Sequence, residues 1–376
     1  MSILVQANLA TDSGATGLRH LLFDNYHVVE FLSFTNKDKV FRSVGGSIKF
    51  AVLTVDSEQA KTNEFSAFFY QQSLDALINR DKKLKYKLGI IRQRDGERLA
   101  LFEARSQEDL DLYLKLRYRY PSLKDTGLLN IGTDFHEAKD LKYFESYDPE
   151  NLNELTPLYK GGSINQFSIF PTETAIKESI VNKKKNGEHR KYRLTFRNIA
   201  RGTDRRTLIA TLLPKNSTGV TSLLIEKDVE NVSLNNRLFY LGVLNSYVMD
   251  FIIRPMVGGA HVTQGIFYEL PLPQAKDFPD AEEIVQLTKA LLLENTGVYD
   301  DLNEFIPGDK YIDWKHDDLI AELNARVMLN FGVSREEVLK IMKNFETIRK
   351  NNENVRKETQ RIINVYDRLV EEQNHD

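Results

Sequence analysis

The stretch YRLTFRNIARGTDRRTLIATLLP, residues 192–214, decides how the fold of this chain is interpreted. The alternation of apolar and polar side chains from Arg193 to Ile199 is typical of a half-buried β-strand. The apolar run from Thr207 to Leu213, which Pro214 closes, predicts a second strand. Because several arginines lie between the two runs, the sequence predicts two strands joined by a tight cationic turn.

Positive charge is concentrated around this turn, although the chain as a whole is nearly neutral. The 376 residues include 51 Lys and Arg against 54 Asp and Glu, a formal net charge of −3. The segment from Lys177 to Lys215 nevertheless contains twelve basic and three acidic residues. A focused positive region of this kind is expected where a polyanion docks. Two alternatives stay open, a solvated basic loop and internal ion pairs with Asp204 or with the acidic stretch before residue 155.

The composition excludes several other classes of site. The chain has no cysteine, which excludes disulfides, thiolate metal sites and a cysteine nucleophile, and fits a reducing cytoplasm. The seven histidines show no ligand spacing, so no metal site is predicted. The most apolar stretch, Leu238 to Met256, is interrupted by Asn245 and Asp250 and is too polar to span a membrane. It predicts a core helix, and no membrane partner is expected.

The pattern along the chain predicts an α+β (mixed α/β) fold in four regions. Residues 1–56 contain a helix at Gly17–Asp24 followed by strands at Val28–Phe34 and Ser47–Val55. This order is expected at the end of a larger α/β unit, whose remainder would lie upstream.

Residues 57–155 form a connecting α/β region. Helices are predicted at Phe65–Ile78 and Ser106–Arg119, and a hairpin turn at Asp95-Gly96. The acidic stretch from Asp134 to Glu154 is interpreted as a solvated face.

Residues 156–278 read as a strand-rich domain, and residues 279–376 as a helical region. The helical pattern places Ala281–Glu294, Asp317–Asn330, Ser334–Phe345 and Asn352–Glu372 in helices, with a capping box at Ser334 and Glu337.

Three motifs of the strand-rich domain resemble those of one enzyme family. PLYKGGSINQF (157–167), the opening stretch (192–214) and FYLGVLNSYVMDFIIRPMVGGAHVTQGIFYELPLP (239–273) occur in the order found in type IIG adenine-N6 DNA methyltransferases. Residues 18–55 are similar to the closing helix and strands of that family's methyltransferase domain, and residues 319–345 to its helical segment. The resemblance covers nearly the whole chain and maps onto the C-terminal part of such an enzyme.

The resemblance implies sequence-specific recognition of duplex DNA for adenine-N6 methylation in a restriction-modification system. Loops in 160–206 and 258–264 would read base edges while the basic segment contacts phosphates. The DNA-binding residues expected on this basis are Lys160, Gln166, Lys184, Arg190, Arg197, Arg201, Thr203, Arg205, Arg206, His261 and Thr263. If about five cations touch phosphates, the logarithm of the affinity should fall with that of the salt concentration with a slope of about −4 to −5.

The chain departs from the family where methyl transfer requires specific residues. It contains no G-x-G and no Pro-Pro, so the S-adenosylmethionine pocket and the catalytic tetrapeptide of the family are missing. It also has Lys160-Gly161-Gly162 in place of the family's Glu-Gly-Lys, and Asn324 where the family has Asp. No catalytic residue and no cofactor are therefore predicted here, although the full family enzyme uses S-adenosylmethionine. The catalytic half, encoded upstream or as a separate polypeptide, or another protein is a further expected partner.

Alternative functions rest on weaker patterns. The triplet Glu137-Ala138-Lys139 matches part of a nuclease motif, but no Pro-Asp precedes it, so no nuclease is predicted. The other alternative is a protein-interaction subunit or a degenerate remnant that does not bind DNA and acts through its helical C-terminus, because residues 352–374 carry an apolar stripe that could pack internally or form a coiled seam. His261 could either order its loop by a hydrogen bond or contact DNA.

Overall fold

The computed structural model describes residues 1–46, 48–58, 61–78, 83–147, 154–185, 187–202, 204–257, 260–348 and 352–375. The chain forms two compact units, Met1–Tyr118 and Arg119–Asp376. Each unit combines helices with small sheets, which confirms the predicted α+β class. The finer division into four regions stays a prediction. Thr203 and the Gly258-Gly259 turn lie outside the described residues.

The first unit contains a five-stranded sheet of order β1-β3-β2-β4-β5. Its strands are β1 (Ser2–Gln6), β2 (His27–Thr35), β3 (Lys49–Asp56), β4 (Glu64–Gln71) and β5 (Leu84–Lys87), and its helices are α1 (Thr16–Asn25), α2 (Leu88–Asp95) and α3 (Gln107–Arg117). The predicted first helix and the two strands after it are confirmed as α1, β2 and β3. Ser106 caps α3 by accepting a hydrogen bond from the Asp109 amide at 3.1 Å, as its sequence predicts.

Two predictions in this unit are wrong. Residues 64–71 form strand β4 and not a helix, because Phe65, Phe68 and Phe69 favour a pleated, buried surface over their weak helical periodicity. The Asp95-Gly96 pair ends helix α2 and does not form a hairpin turn. Gly96 has a φ of −59°, whereas the two-residue hairpin turns need positive φ.

The second unit begins with short strands and ends in helices. Its strands are β6 (Asn130–Gly132), β7 (Phe144–Ser146), β8 (Leu155–Tyr159), β9 (Ile164–Asn165), β10 (Ser168–Ile169), β11 (Thr174–Lys177), β12 (Arg193–Arg197), β13 (Ala210–Leu213), β14 (Thr218–Gly219) and β15 (Leu223–Lys227). Its helices are α4 (Leu123–Thr126), α5 (Glu178–Lys185), α6 (Leu234–Leu244), α7 (Tyr247–Ile253), α8 (Gln264–Tyr268), α9 (Ala281–Leu293), α10 (Leu302–Phe305), α11 (His316–Asn330), α12 (Arg335–Ile348) and α13 (Glu353–His375).

The opening stretch forms two neighbouring strands of the sheet β13-β12-β15-β6. Strands β12 and β13 are antiparallel, with Arg193 opposite Leu213 and Phe196 opposite Ala210. The predicted strand pair is therefore confirmed. Its predicted half-exposure is wrong, because Arg193 and Thr195 are as buried as the neighbouring apolar residues Leu194 and Phe196. Both polar side chains find partners in the interior instead of water.

The predicted core helix from Leu238 to Met256 is divided in two. Helix α6 ends at Leu244, and Ser246 caps α7 by accepting a hydrogen bond from the Met249 amide at 3.2 Å. The Asn245 side chain, at the break, makes hydrogen bonds of 3.0 Å to both the amide and the carbonyl of Ala210 in β13. The break fixes the helix pair to the sheet.

The C-terminal helices agree with the sequence prediction. In the capping box, the Ser334 amide donates to the Glu337 carboxylate at 2.7 Å, and the Glu337 amide to the Ser334 hydroxyl at 3.3 Å. The apolar stripe of α13, which includes Val355 and Ile362, is buried in contact with α11 and α12 of the same chain. Over the described ranges, no helix combines the length and apolar character needed to cross a membrane.

Candidate nucleic-acid interface

The loops that follow β8 and β12 meet the segment before α8. The Arg197 guanidinium donates to the Gly161 carbonyl at 2.9 Å. The Val262 amide donates to the Asn198 carbonyl at 2.7 Å, and His261 lies 3.3 Å from the Asn198 side-chain oxygen. Segments that are up to a hundred residues apart in sequence therefore form one continuous surface, and His261 has the loop-ordering hydrogen bond that was one of its two interpretations.

Arg254 stabilises the arginine-rich turn between β12 and β13. Its guanidinium donates to the carbonyls of Gly202 and Asp204, both at 2.9 Å, and to that of Arg205 at 3.0 Å. Residue 202 packs so closely that a Cβ there would lie 2.9 Å from the Arg254 carbonyl oxygen. A glycine is therefore required at the point where the turn meets the short 3-10 helix at residues 254–256.

Asp250 anchors both Arg254 and the end of the turn. This carboxylate is fully buried, and its oxygens lie 2.7 Å from Arg254 Nε and 2.8 Å from Arg206 Nε. The Thr207 amide also donates to it at 3.2 Å. Sequence reasoning missed this pair, although a signal was present: Asp250 and Arg254 are four residues apart in an otherwise apolar stretch, where isolated charges are expected to pair.

Arg206 and Gln166 are engaged by the protein itself. The Arg206 guanidinium is almost completely buried, donates to the Asn245 carbonyl and lies 4.2 Å from the ring centre of Tyr247. The Gln166 amide donates to the Asn245 carbonyl at 3.0 Å. These contacts account for both residues, so we leave them out of the proposed DNA contacts.

Most of the basic segment is neutralised by ion pairs within the chain. Eight of its twelve cations pair with carboxylates, namely Lys177 with Glu145, Lys184 with Asp140, Lys185 and Arg193 with Asp134, Arg190 with Glu178, Lys191 with Glu230, Arg206 with Asp250, and Lys215 with Asp301. The expectation of a focused positive region is therefore wrong for most of the segment. Except for Glu178, the acidic partners lie outside the segment.

Asp134 is the centre of the most buried of these groups. Its carboxylate is fully buried and lies 2.8 Å from Lys185 Nζ and 2.9 Å from the Arg193 guanidinium, and it also pairs with Lys227. Burial raises the pKa of Asp134, but the positive charges of Arg193 and Lys227 lower it by more. The pKa is therefore well below its usual range. Burial lowers the pKa of Lys227 to about 8 in spite of its pairing with Asp134. The interpretation of the acidic stretch as a solvated face is thus wrong for Asp134.

The remaining residues of the predicted set differ in their surroundings. Lys160, Arg201 and Arg205 are exposed, and the Arg201 amide donates to the Asp204 carboxylate at 2.8 Å. Thr263 caps α8 by accepting a hydrogen bond from the Ile266 amide at 3.3 Å. Exposed basic side chains therefore remain at and near the turn itself.

A polar cleft of about 790 Å³ opens beside the turn. It is lined by Arg197 of β12, by Asp204 and Arg205 of the turn, and by amide side chains that include Asn165, Gln166, Asn245 and Asn324. Helices α11 and α13 contribute His316, Asp317, Asn354, Lys357, Glu358 and Arg361. The cationic and carboxylate groups of the cleft, with the exposed amide of Asn165, can bind phosphates and the donors and acceptors of base edges.

The described residues show no cluster of three or more His, Asp or Glu side chains able to hold a metal ion.

No protein-family model matches the chain, and no curated protein matches it. Among solved structures, the type IIG restriction endonuclease BpuSI is similar over 92% of this chain and 47% of its own, with 12% identity and a TM-score of 0.39. The type IIL restriction-modification enzyme MmeI, in complex with DNA, is similar over 93% of this chain and 50% of its own, with 11% identity and a TM-score of 0.41. This chain spans about half the length of each of these enzymes.

Proposed function

We propose that this chain binds duplex DNA as the target-recognition part of an adenine-specific restriction-modification system. The observation that carries the proposal is the convergence of three motifs. The segments that resemble the family's recognition motifs are joined by hydrogen bonds through Arg197, Asn198 and Val262 into one surface beside a polar cleft.

This surface has basic side chains that can contact phosphates and polar side chains that can contact bases. Lys160, Arg201 and Arg205 are exposed and would position the phosphate backbone. His261 is exposed, contacts the side-chain oxygen of Asn198 at 3.3 Å, and presents an imidazole that can read a base edge. Arg254 holds the turn by main-chain carbonyls and not by the side chains of Asp204 and Arg205.

Salt dependence tests this proposal directly. Three phosphate contacts predict a slope of about −3 or steeper for the logarithm of affinity against that of salt concentration. Arg201→Ala should weaken binding to duplex DNA and make the slope shallower by about one. Lys191→Ala is the matched control, because Lys191 belongs to the same basic segment but precedes β12 and lies outside the turn.

Two results would contradict DNA recognition by the turn. If the affinity of the wild-type chain for DNA does not depend on salt concentration, the chain makes no phosphate contacts. Equal losses for Lys191→Ala and Arg201→Ala would show that the net charge of the segment matters and that the turn does not. The first of these results would favour the alternative of a protein-binding subunit, although the α13 stripe that supported it is buried within the chain.

The proposal includes no methyl transfer by this chain alone. The sequence lacks the G-x-G and Pro-Pro motifs of the family, so a partner would supply the cofactor pocket and the catalytic residues. Titration calorimetry with S-adenosylmethionine should give no heat of binding. Micromolar binding would show that this chain holds the cofactor itself.

A further inference from the structure

The polar cleft is lined by two separate parts of the second unit. Arg197 and Arg205 belong to the strand and turn that resemble a recognition motif, whereas Lys357 and Arg361 belong to helix α13. The burial of the apolar side of α13 against α11 and α12 fixes the first turns of this helix at the cleft. The cleft thus has a helical wall that the recognition motifs do not include.

We infer that the N-terminal turns of α13 form a second phosphate-binding wall, with Lys357 and Arg361 contacting the DNA that the turn between β12 and β13 recognises. Residues four apart on a helix lie on the same face, about 6 Å apart along its axis. Both side chains line the same cleft as Arg205, so one polyanion in the cleft would meet cations from both walls. This inference rests on the proposed DNA binding.

The present partners of these two cations can be exchanged for phosphate. Arg361 pairs with Asp317, and Lys357 with Glu353 at 2.8 Å, and the four side chains are between 46% and 76% exposed. Ion pairs this exposed are weak, because water and salt screen them. A phosphate diester offers a fixed negative charge without requiring either side chain to be buried.

The carboxylates of the cleft favour a ligand that also carries hydrogen-bond donors. Asp204, Asp317 and Glu358 line the cleft together with the cations. Carboxylates accept hydrogen bonds from the exocyclic amino groups of bases, whereas they would repel a ligand made of phosphates alone. Duplex DNA provides both kinds of group, which is why we assign the cleft to DNA and not to a free anion.

Paired variants on α13 test the second wall. Lys357→Ala and Arg361→Ala should each weaken binding to a duplex oligonucleotide roughly threefold or more, and the double variant should make the salt slope shallower by about two. Arg356→Ala is the matched control. It is the neighbouring exposed residue of the same helix, but it pairs with Glu346 of α12 and does not line the cleft.

A charge-preserving variant separates phosphate contact from a structural role. Arg361→Lys should restore the wild-type salt slope, because the contact requires a positive charge and the ion pair is exposed. If Arg361→Lys binds as weakly as Arg361→Ala, the side chain acts through packing and the inference is overturned.

The only tryptophan gives an independent readout. Trp314 is 41% exposed and lies two residues before His316, which lines the cleft. Its fluorescence should change when the duplex binds to the wild-type chain. The change should be smaller, at equal DNA concentration, in the Lys357→Ala, Arg361→Ala double variant.

Failure of the inference is distinguishable from failure of the proposed function. If the double variant keeps the wild-type affinity and salt slope while Arg201→Ala weakens binding, DNA binding stands and the second wall is refuted. If the wild-type chain shows no salt-dependent binding to duplex DNA, both fall.

Discussion

Buried carboxylates determine which cations of this chain remain at its surface. Asp250 holds Arg206 and Arg254, and Asp134 holds Arg193 together with two lysines. An isolated buried charge is expensive, and a paired one that also accepts hydrogen bonds is tolerated. Three cations of the basic segment, Lys185, Arg193 and Arg206, therefore pair with carboxylates in the interior.

Replacing Arg254 by lysine should separate support of the turn from surface charge. Lysine keeps the charge next to Asp250 but cannot donate to three carbonyls in a fixed fork. We expect a loss of about 1–3 kcal/mol in unfolding free energy, measured by urea denaturation, together with weaker DNA binding. Arg237→Lys is the control, because Arg237 is paired with buried Glu226 away from the turn. Equal losses of DNA affinity in both variants would refute a specific role of Arg254.

Glu178 should make stability depend on pH in the acid range. Burial raises its pKa, but hydrogen bonds from Thr156 and His189 lower it to about 2. Because the folded pKa is below the ordinary value, the stabilisation is present above about pH 4.5 and is lost as the pH falls towards 2. Since the side chain is 32% exposed, screening reduces the effect to about 1–2 kcal/mol.

Urea denaturation between pH 2 and 6 measures this contribution. The wild-type chain should lose more stability than Glu178→Gln over that range, because the amide does not titrate. Parallel pH profiles for the two proteins would show that Glu178 contributes nothing.

At the scale of elements, the junction between α6 and α7 positions the sheet and the cleft together. Asn245 joins this junction to β13 by two hydrogen bonds to Ala210 and accepts the side chains of Gln166 and Arg206 at its carbonyl. A helix break that would weaken an isolated helix is here the point of attachment between layers.

The substitution Asn245→Ala should therefore strongly destabilise the folded chain. It leaves the amide and the carbonyl of Ala210 buried without these partners, which should cost about 2 kcal/mol or more in unfolding free energy. Asn364→Ala on the exposed side of α13 should change stability by less than about 0.5 kcal/mol. A thermal shift for Asn245→Ala no larger than that of the control would contradict this role.

Local patterns in the sequence were sufficient where neighbours in the chain decide the structure. The strand pair around the cationic turn and the capping box at Ser334 follow from alternation and spacing alone. Strand β4 was missed because its aromatic run also fits a helical spacing. The ion pairs of Asp134, and that of Asp250 with Arg206, were missed because the partners lie up to about a hundred residues apart, and only the fold brings them together.

For the whole molecule, the candidate interface belongs entirely to the second unit. All residues that line the cleft lie between Asn165 and Arg361, within the unit Arg119–Asp376. A compact unit with its own core is expected to fold independently. The sequence resemblance indicated recognition motifs in this part of the chain. It did not indicate that α13 lines the cleft, because only the tertiary fold brings α13 next to the turn.

A fragment of residues 119–376 should consequently unfold cooperatively and bind duplex DNA with nearly the affinity of the full chain. Circular dichroism during urea denaturation and a DNA titration at the same salt concentration measure the two properties. A fragment that folds cooperatively but has lost DNA binding would show that the first unit takes part in binding.

The support of the cationic turn by Arg254 has a consequence for how specificity could change over time. The Arg254 guanidinium donates hydrogen bonds to the main-chain oxygens of Gly202, Asp204 and Arg205. These oxygens are present whatever side chain is attached at 204 and 205. A substitution at position 205 can alter what the surface prefers without releasing the backbone, whereas Asp204 also accepts a hydrogen bond from the Arg201 amide. New preferences would then arise one residue at a time, on a scaffold that does not have to be rebuilt for each of them.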